Sequence, residues 1–256
     1  MLVNPLLNLL VGLFALTGNL GVAIVILTII IRSALIPVVL PSIKSMKKQR
    51  ELAPQIAKLK KKHKKDKQKL AQAQMELFKK HNINPTSGCL SQIAMIIVLI
   101  ALFSVIRRFT YIDNGGIDIA AINDLLYFDF LKLPLDTVIQ TRFLYLDLAQ
   151  KDPYYILATL SALLQFLVSK MNMPAAERTE KNAKNTPQKS DDMAAQMQTQ
   201  MMYMMPIMNF VIGVTLPSGV VLYILTTSVF TIVQTYIING PGGLKPWINK
   251  LKFAKR

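Results

Sequence analysis

The sequence predicts an all-α integral membrane protein: five transmembrane helices, an N-terminal interfacial helix ahead of them, and a cytoplasmic helical hairpin after the first crossing. Three observations carry this prediction. Of the 256 residues 52% are hydrophobic, yet the net charge is +16, and apolar runs joined by basic connections are the mark of a polytopic membrane protein. Five runs approach the length needed to cross a bilayer, about 20 residues rising about 1.5 Å each through about 30 Å of hydrocarbon. The connections between these runs also alternate in charge along the chain.

Residues 1–18 form the interfacial element. Leu6 to Leu16 is eleven residues, too short to span, and the N-terminus has no basic leader, no small-x-small cleavage site and no cysteine to accept a lipid. The gap at Thr17 to Asn19 separates this element from the first span, 19–40, which contains LGVAIVILTIIIRSALIPVVL. Residues 41–85 hold fourteen basic side chains against Glu51, Asp66 and Glu76, a sum of +11. Their apolar residues recur at Leu52, Ile56 and Leu59, then at Leu70, Leu77 and Phe78, which predicts two helices with a tip near Lys62 to Lys67. One narrow stripe per helix buries little, so the hairpin should be mobile.

Asn84-Pro85-Thr86 starts the second span, 86–106, which stops at Arg107-Arg108. The connection 107–152 has five basic and seven acidic residues, a sum of −2 that suits an extracytoplasmic loop, with amphipathic pieces such as Ile122 to Leu133 on the membrane surface. Asp152-Pro153 opens the third span, 153–170. A polar cytoplasmic loop at 171–200, read as flexible, leads to the fourth and fifth spans within 201–238. Pro206 should kink the fourth, and Pro217-Ser218-Gly219 makes the turn between them. The tail, 239–256, carries Lys245, Lys250, Lys252, Lys255 and Arg256 and no acid. Five spans put the +11 segment and the tail on one side and the −2 loop on the other, so the N-terminus lies outside and the C-terminus in the cytoplasm.

No constellation for bond chemistry is present. There is no serine or cysteine beside a histidine base, no phosphate-binding glycine loop, no intramembrane carboxylate pair, and one cysteine, Cys89, excludes an internal disulfide. His63 and His81 lie in a Lys-rich stretch without metal-ligand spacing, so neither a cofactor nor a metal is implied. The residue that does not fit is Arg32, since an arginine at mid-span costs about 2.5 to 3.5 kcal/mol and the apolar runs contain no Asp or Glu to neutralise it. Either it snorkels to the interface or it faces water inside a helix bundle. In the second case Arg32 with Thr28, Gln165, Ser228, Thr231 and Gln234 lines a groove that offers a polar surface at membrane depth. Lys58, Lys60, Lys61, Lys62, Lys64 and Lys65 at the hairpin tip either touch anionic lipid head groups or ribosomal RNA, or only enforce topology.

Three stretches resemble a known family: LTIIIRSALIPVVLPSIKSMKKQRELAPQIAKLKKKHKKDKQKL, LFKKHNINPTSGCL and PSGVVLYILTTSVFTIVQ, in that order, look like the YidC insertases of bacteria, relatives of the mitochondrial Oxa and chloroplast Albino proteins. The resemblance runs from about Asn19 to Asn239. It implies a five-helix core with a hydrophilic groove, Arg32 as the groove arginine, a cytoplasmic hairpin over Ile43 to His81, and residence in the bacterial cytoplasmic membrane. The partners it implies are nascent membrane proteins, the ribosome, the Sec translocon, the signal recognition particle pathway and anionic lipids. Ser91, Met95 and Ile97 depart from the proline and Gln-x-Pro that many members carry, which predicts a straighter second helix with a less polar groove face. The large periplasmic domain of some members and the long basic tail of others are expected to be absent.

The leading function is a membrane protein insertase and chaperone, and not an enzyme. A small-solute transporter or channel is the rival from another class, weakened by a single intramembrane ion and no visible inverted repeat. A membrane tether for ribosomes is the second rival, and it has no use for Arg32.

Overall fold

The computed structural model describes residues 2–63, 66–83, 87–110, 117–137, 139–172 and 193–244. They are mostly helical. Among them run α1 (Val3–Thr17), α2 (Leu20–Ala34), α3 (Ile36–Glu51), α4 (Ala53–Lys62), α5 (Lys67–Lys80), α6 (Ser87–Thr110), α7 (Ile119–Asn123), α8 (Ile156–Asn172), α9 (Met193–Thr215) and α10 (Ser218–Asn239), with a short hairpin of β1 (Arg142–Phe143) and β2 (Leu146–Asp147). The expected starts and ends at 84–86, 173–192 and 245–256, the last holding the five tail cations, lie outside the described residues.

The run 20–40 is not one straight helix. α2 ends at Ala34, the Leu35 amide donates to the Ile31 carbonyl at 3.0 Å, and the chain turns by 66° into α3. Pro37 is the physical reason: it has no amide hydrogen, its ring crowds the carbonyl four residues back, and it biases Ile36 away from helical geometry. Among the described residues, Ser218–Asn239 is the helix long and apolar enough to cross a membrane unbroken, with mean hydropathy 1.7, while α2 and α3 together form a broken candidate. Ile156–Asn172 and Met202–Thr215 are apolar but shorter. Seventeen residues in α8 reach about 25 Å at about 1.5 Å each, short of the hydrocarbon thickness.

The chain divides into two compact units. The first comprises Met1–Ile36, Gln92–Leu164 and Ile207–Phe230. Its core is made of helical stripes: Leu7, Leu10, Val11 and Phe14 from α1; Leu20, Ala23, Ile24 and Leu27 from α2; Leu102, Val105, Ile106 and Phe109 from α6; and Val220 to Tyr223 from α10. In α1, α2 and α6 the spacing of three and four is what a single helix face presents, whereas the four consecutive buried residues of α10 are covered on more than one side. Where such faces lie in lipid, close packing more than water exclusion holds them, and Gly213 shows it: a Cβ there would stand 2.8 Å from the Ala158 Cβ, so α9 and α8 approach through a small-residue contact.

The corner between α1 and α2 follows from Thr17-Gly18-Asn19. Gly18 takes φ +66° and donates to the Phe14 carbonyl at 2.8 Å, ending α1, and the Asn19 side chain accepts from the amides of Gly21 (2.9 Å) and Val22 (3.2 Å), starting α2. The connection after α6 is tied down by side-chain amides. Ile122 to Leu133 is not a continuous amphipathic helix: α7 stops at Asn123, whose carboxamide accepts from the Leu133 amide (2.9 Å) and donates to its carbonyl (2.7 Å), closing a compact loop. The β1–β2 hairpin pairs Arg142 with Asp147 and Phe143 with Leu146, and the Phe143 ring packs on Gly21 where no Cβ would fit. Asp152, buried, accepts from the amides of Tyr154 (3.1 Å) and Leu157 (2.7 Å) and so leads the chain into α8.

The second unit comprises Pro37–Ser91, Gln165–Pro206 and Thr231–Arg256. In it α4 and α5 pack on one another, and Asp66 caps α5 by accepting from the Lys69 amide at 3.0 Å. Its carboxylate is held below the ordinary value by that backbone hydrogen bond first and by the Lys69 ammonium second. Asn239 near the end of α10 donates to the Ile43 carbonyl of α3 at 3.2 Å. α9 begins at Met193, eight residues inside the stretch expected as loop, because Ala, Met and Gln are strong helix formers that need no apolar periodicity.

Candidate functional site

Arg32 stands in the last turn of α2 and is 8% exposed. That position lowers the cost of its charge. The last carbonyls of a helix have no intrahelical partner and carry the negative end of its dipole, worth about 0.3–1 kcal/mol to a cation at the surface and up to about 2 kcal/mol when partly buried. The break at Leu35, just before Pro37, is therefore also what puts Arg32 in the last turn of a helix.

Three helices of the first unit supply its surroundings. Thr28, one turn earlier on the same face of α2, is fully buried, and its hydroxyl donates to the Ile24 carbonyl at 2.6 Å. From α6, the Met95 sulfur accepts from Arg32 Nη1 at 2.9 Å. From α10, the buried Tyr223 phenol lies within electrostatic reach of the guanidinium, with Thr227 one turn further along the same helix. The neighbouring hydroxyls are satisfied by their own helix: Thr226 donates to the Leu222 carbonyl at 2.8 Å and Ser228 to the Ile224 carbonyl at 3.0 Å. Back-bonded hydroxyls keep lone pairs that accept from water without leaving an unmet donor. Chemically, the arrangement is a buried cation met by a thioether and a phenol, able to attract an anion.

Arg32, Thr28 and Ser228 belong to the first unit. Gln165, half-buried on α8, Thr231, half-buried on α10, and Gln234, buried on α10, belong to the second. Lys58 and Lys62 are exposed on α4; Lys60 and Lys61 lie in the same helix with side chains outside the description, and Lys64 and Lys65 fall outside the described residues. The sequence reading missed Tyr223 and noted Met95 only as a departure from the pattern of many family members. A phenol four residues before Thr227 within an apolar run is a legible polar pair on one helix face. Nothing in the sequence linked Met95 to Arg32, because methionine in an apolar helix is ordinarily core filler.

Comparison with known proteins identifies the family. The family model described as 60Kd inner membrane protein matches residues 12–242. The chain is 34% identical over 225 residues to the membrane protein insertase YidC of Fusobacterium nucleatum, covering 88% of each. It is 31% identical over 244 residues to the membrane protein insertase MisCA of Bacillus subtilis, covering 93% of this chain and 78% of that one. Against the YidC of Geobacter sulfurreducens the identity is 31% over 239 residues, which span 93% of this chain and 37% of that longer protein. With nearly its whole length matched, the chain belongs to the YidC/Oxa1 family of membrane protein insertases, multi-pass and non-enzymatic proteins of the cytoplasmic membrane.

Proposed function

We propose that this insertase works by lowering the barrier to a polar leading segment through the site centred on Arg32, and the burial of that cation among Thr28, Met95 and Tyr223 is the observation that carries the reading. A carboxylate leaving water for hydrocarbon loses its hydration at a cost of many kcal/mol. Opposite charges about 4 Å apart attract by about 1 kcal/mol in water but by about 4 kcal/mol at an effective dielectric near 20, so a semi-buried cation returns part of that loss. One cation without an energy source supports one or two acidic groups. The cargo of this reading is a small protein with one or two spans and a short, weakly acidic translocated tail.

In the same reading α2 with α3, α6, α8, α9 and α10 cross the membrane, with the N-terminus outside and the C-terminus inside, and α1 lies along the outer interface. The paired α4 and α5 then stand in the cytoplasm, where the lysines of the 58–65 stretch meet anionic lipids and ribosomes carrying nascent chains. The Sec translocon and the signal recognition particle pathway are the remaining proposed partners.

The test is insertion of a single-span cargo with an acidic leader into liposomes containing this protein alone. Wild type should insert it, Arg32→Lys should retain most of the activity because the charge matters more than the guanidinium fork, and Arg32→Ala should lose it. Equal insertion by the alanine variant across several acidic cargoes would sink the proposal.

A further inference from the structure

We infer that Met95 is a positioning residue for Arg32, one whose neutral sulfur helps to orient the guanidinium without itself neutralising its charge. The inference rests on the reading of Arg32 given above and adds to it the group that sets the cation's direction and its selectivity.

The geometry is built in from both sides. Met95 lies seven, ten, eleven and fourteen residues before Leu102, Val105, Ile106 and Phe109, so it extends the stripe that fixes α6 in the core of the first unit. Arg32 lies four residues beyond Thr28 and eight beyond Ile24, so it extends the buried stripe of α2. The sulfur and Nη1 meet at 2.9 Å where these two packed faces continue. The contact therefore lies on the continuation of the buried stripe of each helix.

The chemistry of the acceptor then decides what Arg32 is able to do. A carboxylate at this position would form a charge-assisted bond and cancel the cation. A hydrocarbon would leave Nη1 facing a surface unable to accept. A thioether is a weak, polarizable acceptor that satisfies the direction of one N–H with no formal charge, and its unbranched chain swings aside at little cost when a stronger acceptor arrives. Met95 thus aims the guanidinium and releases it to a cargo carboxylate.

A purely structural Met95 would change the amount of working protein without changing which cargo is preferred. The measurement is therefore a ratio: insertion of one single-span cargo whose leader carries two Asp, divided by that of the same cargo with two Lys, on the same liposomes holding the full chain. This ratio is independent of how much protein has folded. Met95→Leu, of similar volume and without an acceptor, should lower it roughly threefold, in keeping with the loss of one modest hydrogen bond. Met95→Gln, which restores a neutral acceptor, should bring it back toward wild type. Met95→Glu should drive it below the value for Arg32→Ala, because the new carboxylate cancels Arg32 and attracts lysine. Wild-type ratios in both Met95→Leu and Met95→Glu, with a collapsed ratio in Arg32→Ala, would overturn the role of Met95 alone. An unchanged ratio in Arg32→Ala would overturn the reading of Arg32 and this inference with it.

Discussion

Replacing Asn8 by leucine should release the loop at 125–127 from α1. Asn8 is buried, its Nδ2 donates to the Asn4 carbonyl (2.8 Å) and the Leu125 carbonyl (3.0 Å), and its Oδ1 accepts from the Tyr127 amide (2.7 Å). Leucine keeps the branching and the number of heavy atoms but leaves the Leu125 carbonyl and the Tyr127 amide without their partner. A buried backbone group stripped of its bond costs about 1–3 kcal/mol, so two of them cost about 2–6 kcal/mol if water stays out. Tyr127 is 58% exposed, however, and water reaching its backbone recovers part of the loss, which leaves an expected cost of about 2 kcal/mol. Amide exchange at Tyr127, followed in lipid, reads this as local opening: about 1.4 kcal/mol per tenfold makes it roughly thirtyfold faster. Asn8→Asp keeps the acceptor for Tyr127 and loses the donor, and it should fall between the two. An exchange rate at Tyr127 within twofold of wild type in Asn8→Leu would refute the reasoning, because the bond would then hold nothing in place.

Gly213→Ala should destabilise the protein by about 1–3 kcal/mol through overpacking against Ala158, read by thermal unfolding in detergent; Ala158→Gly in the same chain should relieve only part, since the added Cβ also meets the Ala158 Cα at 2.9 Å. α4 and α5, whose stripe residues Ile56, Leu59, Leu70 and Leu77 are only half-buried, should exchange their amides far faster than Val220 to Thr231, and equal protection would mean that the pair is docked. The start of α5 should fray in acid. The Asp66 carboxylate is held below its ordinary value near 3.8, so the folded form is favoured above that value and loses this support as the pH falls through the lower, folded value. Lys69 amide exchange relative to neutral pH, corrected for intrinsic rates, should rise there in wild type and not in Asp66→Asn.

The apolar runs and their punctuation were legible because one residue type decided each: Gly18 for a left-handed turn, Asn19 and Asp66 for caps, Asp152 ahead of α8. Arg32 stood out for the same reason, as a charge where none is tolerated without compensation. What surrounds it did not. The Met95 sulfur and the Tyr223 phenol reach Arg32 through long-range packing of α6 and α10 against α2, and no local pattern encodes which member of an apolar stripe will meet a given side chain. The bend at Leu35 is an intermediate case: Pro37 was visible, but the high apolar content of 20–40 outweighed it in a reading by hydropathy. The connection between α6 and α8 was least legible, since Asn8, Asn19 and Asn123 fix it by side-chain bonds to backbone that leave no periodicity.

The central claim is that the charge of Arg32 selects cargo, and the most direct measurement compares three leaders on one single-span protein inserted into liposomes that contain only this insertase: two Asp, two Asn or two Lys, at low and high salt. The account predicts insertion with Asp at least equal to Asn and Asn well above Lys, with an order that survives salt because a semi-buried cation is screened less than a surface charge. If Lys leaders insert as well as Asp leaders, Arg32 does not read cargo charge, and the account is contradicted at its centre.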